Sequence, residues 1–165
     1  MIYLAADHRG YKLKEKIKQW LTEWGFEYED CGAFEYNESD DYPDFVRKVA
    51  QAVANDPEQS RGIVLGMSGQ GEAMAANRFK GVRAAVFYGP SLIRLGSGFL
   101  FFMFNRSIFG KLIRLTREHN DANVLTLGAS FLDRILAKKA IKLWLETPFS
   151  QEERHKRRVE KIEKL

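Results

Sequence analysis

The sequence predicts a doubly wound α/β fold: a five-stranded parallel sheet with helices on both faces and a further helix at the C-terminus. Three observations carry this expectation. Short apolar runs that do not alternate with polar residues, such as Ile63-Val64-Leu65 and 122–127, suit strands buried on both faces. Other segments place apolar residues at helical spacing. The two kinds of segment alternate along the chain, as parallel strands joined by right-handed helical crossovers do. At 165 residues, with 45% apolar and 29% charged residues, the chain reads as a single soluble, globular domain over 1–165 that is able to bury a core.

The first strand is expected at 2–6, ending in Asp7-His8-Arg9-Gly10. From Tyr11, the residues Leu13, Ile17, Trp20, Leu21 and Trp24 recur at helical spacing, and Gly25 supplies the residue that closes such a helix. A second strand follows at 26–31. The polar, acidic stretch 32–42 reads as a loop, after which Pro43 opens a helix carried on by Phe45, Val46, Val49 and Val53. The third strand, Ile63-Val64-Leu65, runs into a glycine-rich turn and a helical stretch from Glu72. Strands at 82–87 and 122–127, an amphipathic helix at 131–146 stopped by Thr147-Pro148, and a charged helix at 151–165 complete the Rossmann-like series.

The segment between Tyr88 and Thr116 breaks this spacing. Leu92-Ile93-Arg94-Leu95 recurs as Leu112-Ile113-Arg114-Leu115, with Gly96-Ser97-Gly98 and the apolar run 99–104 between them. We expect an apolar insertion at about 96–115, folded as two helices or one kinked helix. The apolar run 99–104 is too short to span a bilayer, and the apolar face of the insertion calls for cover at a subunit interface or on its own domain.

The net charge is +4 and the sequence pI about 9.2, with the basic excess gathered in Arg154-His155-Lys156-Arg157-Arg158. Such a local cluster fits a phosphorylated small molecule as readily as nucleic acid, and no groove-reading motif favours the latter. The single cysteine, Cys31, allows neither an intramolecular disulfide nor a cysteine zinc cage. With no leader segment in view, a cytoplasmic protein is expected.

In sheets of this kind ligands bind beyond the carboxyl ends of the strands. Asp7-His8, Tyr88 and the turn Gly66-Met67-Ser68-Gly69-Gln70-Gly71 all fall at such ends. Strand, glycine-rich turn and helix start bring backbone N–H groups and a positive helix end to one point, with the ionisable Glu72 beside them. The same residues also suit an ordinary tight turn, with Glu72 stabilised by the helix dipole.

Asp7 through Lys14, Asp41-Tyr42-Pro43-Asp44-Phe45, the glycine-rich stretch with Ala75-Ala76-Asn77, the run 117–125 and Arg154-His155-Lys156-Arg157-Arg158-Val159 together resemble the type B ribose-5-phosphate isomerases and the related galactose-6-phosphate isomerase subunits. The blocks stand in the family's order and cover nearly all of the chain outside 96–115. The resemblance implies aldose–ketose isomerisation of a phosphorylated pentose through an enediolate, a step of pentose phosphate metabolism that needs no metal and no organic cofactor.

That chemistry requires a ring-opening acid/base, a base moving a proton between C1 and C2, donors for the enediolate oxygens, and cations for the phosphate. The resemblance assigns Glu72 as the base, because Gly66 stands where many members carry a cysteine. Ser68 and the N–H groups around Gly69 and Gly71 would face the enediolate, although Ser68 also suits a helix cap. His119 and Asn120 match a ring-opening and hydroxyl-binding pair; for His119 a helix C-terminal role is the alternative. Asp7 would meet the ring oxygen or hydroxyls, or else cap the first helix. His8 would meet the phosphate, Tyr42 the sugar, and Met67 the substrate.

Arg154 and Arg158, four apart, share a helical face suited to one phosphate, or pair with Glu152 and Glu153 as a solvated charge run. Tyr88 and Ser130 depart from the family, standing where other members carry a histidine and an arginine; Arg9 is a candidate for the missing phosphate contact. The implied partner besides the sugar phosphate is a second copy, in a dimer or tetramer whose active site is shared between subunits; no nucleic acid or membrane partner is expected. Alternatives are an allose- or galactose-6-phosphate isomerase, with pocket depth near Met67 and Tyr88 discriminating, and a non-catalytic sugar-phosphate-binding or structural homologue.

Overall fold

The computed structural model describes residues 1–89 and 99–165, with the backbone alone for 99–108. Among these residues are five strands: β1 Ile2–Ala6, β2 Tyr28–Asp30, β3 Arg61–Gly66, β4 Ala84–Phe87 and β5 Val124–Gly128. The helices are α1 Tyr11–Glu23, α2 Tyr42–Asn55, α3 Gln70–Ala76, α4 Phe99–Glu118, α5 Arg134–Glu146 and α6 Glu153–Ile162. The sheet runs β2-β1-β3-β5-β4 with every pair parallel, as the alternation of strands and helices implied.

Alternate strand residues enter two separate cores. Leu4, Ile63, Leu65, Leu125 and Leu127 pack with Ile17 and Leu21 of α1, Ile113 of α4, and Ile141 and Trp144 of α5. On the opposite face Ala5, Val64 and Val124 pack with Val46, Val49 and Val53 of α2 and Ala76 of α3. Trp144 is fully buried, so truncating it to alanine should cost about 3–5 kcal/mol.

Several expected boundaries shift, each for a local reason. The second strand starts at Tyr28 rather than 26, because the Phe26 N–H bonds the Leu21 carbonyl at 2.9 Å and the Gly25 N–H the Thr22 carbonyl at 3.1 Å. That pair of bonds is the Schellman closure of α1, and it consumes Phe26. The fourth strand starts at Ala84 because Arg83 is held in the preceding turn, its N–H donating to Asn123 Oδ1 at 2.8 Å. Residue 122 stays with α4 through its N–H to the Thr116 carbonyl at 2.9 Å, so β5 begins at Val124 and extends one residue further, to Gly128.

Asp133 accepts the Leu136 N–H at 2.8 Å and caps α5, which therefore starts at Arg134 and not at 131. Gln151, at a φ of 59°, cannot belong to α6, which spans Glu153–Ile162. The first Leu-Ile-Arg-Leu copy from Leu92 and the junction at Gly96-Ser97-Gly98 lie outside the described residues. The second copy is part of the continuous helix α4.

Candidate active site

The carboxyl end of the sheet collects one group of the expected residues. Gly66 and Gly128 are paired in register at the ends of β3 and β5. The Asp7 N–H bonds the Leu65 carbonyl at 3.2 Å, which fixes the end of β1 beside the turn. The turn itself is pinned from below by the Ala129 N–H on the Gly66 carbonyl and the Ser130 N–H on the Met67 carbonyl. Gly69, at a φ of 78°, turns the chain into α3.

Glu72 lies in the first turn of that helix and is buried, 4% exposed. Its carboxylate fills the space over Gly66: a Cβ added at Gly66 would overlap it. Glycine at 66 is thus a condition for Glu72 to stand there. Burial pushes the Glu72 carboxyl above the ordinary glutamate value, and the nearby Asp7 charge pushes it further, against the pull of its own backbone N–H. Asp7 is buried too, and its carboxyl is raised by that burial against the lowering effects of the Gly10 N–H and His8. Asp7 Oδ1 accepts the Gly10 N–H at 3.0 Å, but the residue at the N-cap of α1 is Gly10.

The remaining carboxyl-end residues surround this pair. Ser68 Oγ accepts the Gln70 N–H at 3.3 Å, a cap-like bond that leaves the hydroxyl hydrogen available. A Cβ on Gly71 would stand 2.7 Å from the Tyr42 hydroxyl, so glycine there lets Tyr42 close over the turn. Met67 and Tyr88 are exposed at the rim, Tyr88 edge-on to Phe131. His8 Nδ1 lies 2.6 Å from Asp40 Oδ1, which also accepts the His8 backbone N–H at 3.1 Å.

The other expected residues lie at the opposite end. α4 returns from the carboxyl to the amino end of the sheet, so His119 and Asn120 precede the start of β5. α5 returns likewise, and the Ser150 N–H bonds the Glu118 carbonyl at 3.2 Å. Between these segments and the Glu72 turn lies the length of β5, five residues, or about 13 Å at the usual rise per residue.

This amino-end cluster is rigidly built. Arg117 donates to Asp121 Oδ1 and the Ala122 carbonyl, both at 2.7 Å, while Arg83 bonds Asp121 Oδ2 at 2.9 Å and Glu163 Oε1 at 2.6 Å. The network ties the end of α4 to the residue before β4 and the residue after α6. The His119 ring stacks on that of buried His155 with centroids 4.1 Å apart. His155 Nδ1 is 2.7 Å from Ser150 Oγ. Burial lowers the His155 imidazole below the ordinary histidine value, and the neighbouring His119 lowers it further. Arg154 and Arg158 are exposed; Arg154 Nε donates to Glu152 Oε2 at 2.7 Å.

Comparison with known proteins matches the sequence and the fold. A family model described as Ribose/Galactose Isomerase matches residues 2–96 and 111–162. The chain belongs to the ribose/galactose isomerase family. Among curated relatives in that family, ribose-5-phosphate isomerase B of Mycobacterium tuberculosis is 36% identical over 159 residues, 96% of this chain and 85% of the relative. Ribose-5-phosphate isomerase B of Escherichia coli is 35% identical over 161 residues, 98% of this chain and 93% of the relative. Among solved structures, ribose-5-phosphate isomerase B of Mycoplasma genitalium with bound ribulose-5-phosphate superposes with a TM-score of 0.84 at 32% identity, covering 99% of this chain and 93% of the other.

For a ribose/galactose isomerase, the carboxyl-end cluster offers a buried base, a hydroxyl and turn N–H groups; the amino-end cluster offers imidazole, amide and guanidinium. Two features escaped sequence reasoning. Asp40 gave no signal within the run of polar residues before Tyr42. The stacking of His155 under His119 joins residues 36 apart and has no local pattern to announce it.

Proposed function

We propose that the protein interconverts ribose 5-phosphate and ribulose 5-phosphate through an enediolate, with Glu72 as the base. The observation that carries this is the Glu72 carboxylate itself, buried over Gly66 with its proton affinity raised. In the open-chain aldose, Glu72 takes the proton from C2. The C2–H electron pair forms the C1–C2 double bond, and the carbonyl electrons move onto O1. Glu72 then returns the proton to C1 as the hydroxyl proton of O2 passes to O1, which leaves a ketone at C2.

Ser68 and the N–H groups of Gly69 and Gly71 stabilise the enediolate oxygens, a term that strengthens as charge develops there. Asp7 and Tyr42 hold sugar hydroxyls, Met67 lines the site, and His8 with Arg154 and Arg158 binds the phosphate. His119 opens the ring and Asn120 holds a hydroxyl.

These roles require His119, Asn120, Arg154 and Arg158 to face a Glu72 turn that lies a strand length away in the same chain. We therefore take the working unit to be a homo-oligomer, dimer or tetramer, in which one copy's amino-end cluster completes the other's carboxyl-end site. The chain is one domain with an insertion near 96–115, in keeping with the family match that passes over 97–110. The lone, buried Cys31, whose thiol burial pushes up to about 11, fits a reducing cytoplasm.

The test is direct. Purified protein given ribose 5-phosphate should form ribulose 5-phosphate, and Glu72→Gln should bind the substrate without turning it over. Turnover of allose or galactose 6-phosphate in preference to the pentose would overturn the substrate assignment, and an unchanged kcat in Glu72→Gln would overturn the base.

A further inference from the structure

The loop that precedes α2 is exposed from Phe34 to Ser39, yet the Asp40 side chain is only 7% accessible. One oxygen of that carboxylate, Oδ1, takes both the backbone N–H of His8 at 3.1 Å and the ring Nδ1 at 2.6 Å. The other, Oδ2, is buried without a hydrogen-bond partner among the described residues. Leaving a carboxylate oxygen unpaired is costly, so the buried position is retained against a penalty. The neighbours of the imidazole are the flanking Asp7 and Arg9 and the edge of Tyr36, 6.4 Å between centroids. Among the described residues none bonds the ring's Nε2.

We propose that Asp40 is a positioning residue for phosphate binding: it fixes the His8 ring so that Nε2 is the nitrogen presented to the substrate phosphate. A carboxylate accepts, so the proton on Nδ1 is committed to Asp40, and any further proton the ring takes up sits on Nε2. Between Asp40 and a phosphate, His8 then donates from both nitrogens, one bond holding the ring and the other the ligand. The double grip of Oδ1 on ring and backbone restrains the rotation that would turn Nε2 away, so less ordering is left for the moment of binding. A carboxylate orienting an imidazole whose other nitrogen holds a ligand is the arrangement used for histidines at metal centres, applied here to an anion. The phosphate role of His8 belongs to the isomerase reading above, and the inference rests on it.

Two measurements on the full-length protein test it. In the ligand-free protein, nitrogen-15 spectra of the His8 ring should show Nδ1 protonated and hydrogen-bonded, and Asp40→Ala should release it into a mixture of tautomers. A wild-type ring protonated on Nε2 alone would overturn the proposal whether or not the protein is an isomerase. In a double-mutant cycle on ribose 5-phosphate, Asp40→Ala should raise KM about tenfold with kcat changed far less, and add almost nothing in a His8→Ala background. Asp40→Asn, which keeps an acceptor and loses the charge, should fall between wild type and Asp40→Ala. Fully additive losses, or a loss confined to kcat, would show that Asp40 does not act through His8. An inactive wild-type protein would sink the isomerase reading, and the ring spectra would still decide the pairing.

Discussion

At the carboxyl end of the sheet two buried carboxyls, Asp7 and Glu72, stand beside backbone N–H groups. At the amino end stand two stacked imidazoles, a side-chain amide and two exposed arginines. One end can remove a proton from carbon but has little with which to hold a phosphate beyond His8. The other can hold a phosphate and move a proton on oxygen but has no base for carbon. On the function proposed above, a short chain divides the work of an isomerase between its two ends, each supplying what the other end lacks. The contrast also separates a buried carboxylate held in place by its surroundings from arginines exposed on the surface. Glu72 is shaped by burial and by a missing side chain at residue 66, whereas Arg154 stands exposed with its Nε on Glu152.

Breaking the carboxyl end should have the larger effect. Glu72→Gln is expected to lower kcat by about 10³ or more with KM nearly unchanged, in steady-state assays on ribose 5-phosphate. Gly66→Ala places a methyl group where the Glu72 carboxylate lies, and should reduce kcat on the order of 10²-fold while the fold persists by circular dichroism. If Gly66→Ala were fully active, the carboxylate would not need that position. Arg154→Ala, at the amino end, should raise KM mainly, by about tenfold, because a phosphate contact serves ground and transition states alike. Its stability should stay within about 0.5 kcal/mol of wild type, since its pairing with Glu152 is exposed.

The smallest expected effect runs opposite to activity. The Glu72 carboxyl is raised above its ordinary value of 4.5, so the folded state favours the protonated form. That favourable contribution is complete below the unfolded value and is lost as pH rises through the folded one. At neutral pH the ionised Glu72 therefore destabilises the fold relative to a neutral isostere. Glu72→Gln should melt a few degrees higher at pH 7 to 8, and the gap should close below about pH 4. A lower melting temperature at pH 7 would contradict the raised proton affinity.

Much of this contrast could be read from the sequence. Apolar runs and helical periodicity placed most strands and helices, because parallel strands buried on both faces leave a continuous apolar trace; α3 and α6 were read from composition, and 99–118 was open between two helices and one kinked helix. Element ends were less legible. Phe26 is apolar enough for a strand, and only the closing bonds of α1 show that it serves the helix. Glu72 was visible as an ionisable residue in a glycine-rich turn, but its burial over Gly66 depends on an absent side chain that no periodicity reports. The opposite placement of the two clusters follows from parallel topology. The pairing of Asp40 with His8, across 32 residues, needed the folded loop.

The division of the site between two copies is tested most directly by mixing two dead proteins. Glu72→Gln and His119→Ala should each be inactive as pure oligomers. Co-refolded in equal amounts as dimers, they should regain activity, up to about a quarter of wild type, because half the dimers are mixed and each mixed dimer carries one site with both residues intact. If the mixture stays as inactive as its components while mixed dimers form, Glu72 and His119 serve within a single copy and the account of a shared site is wrong.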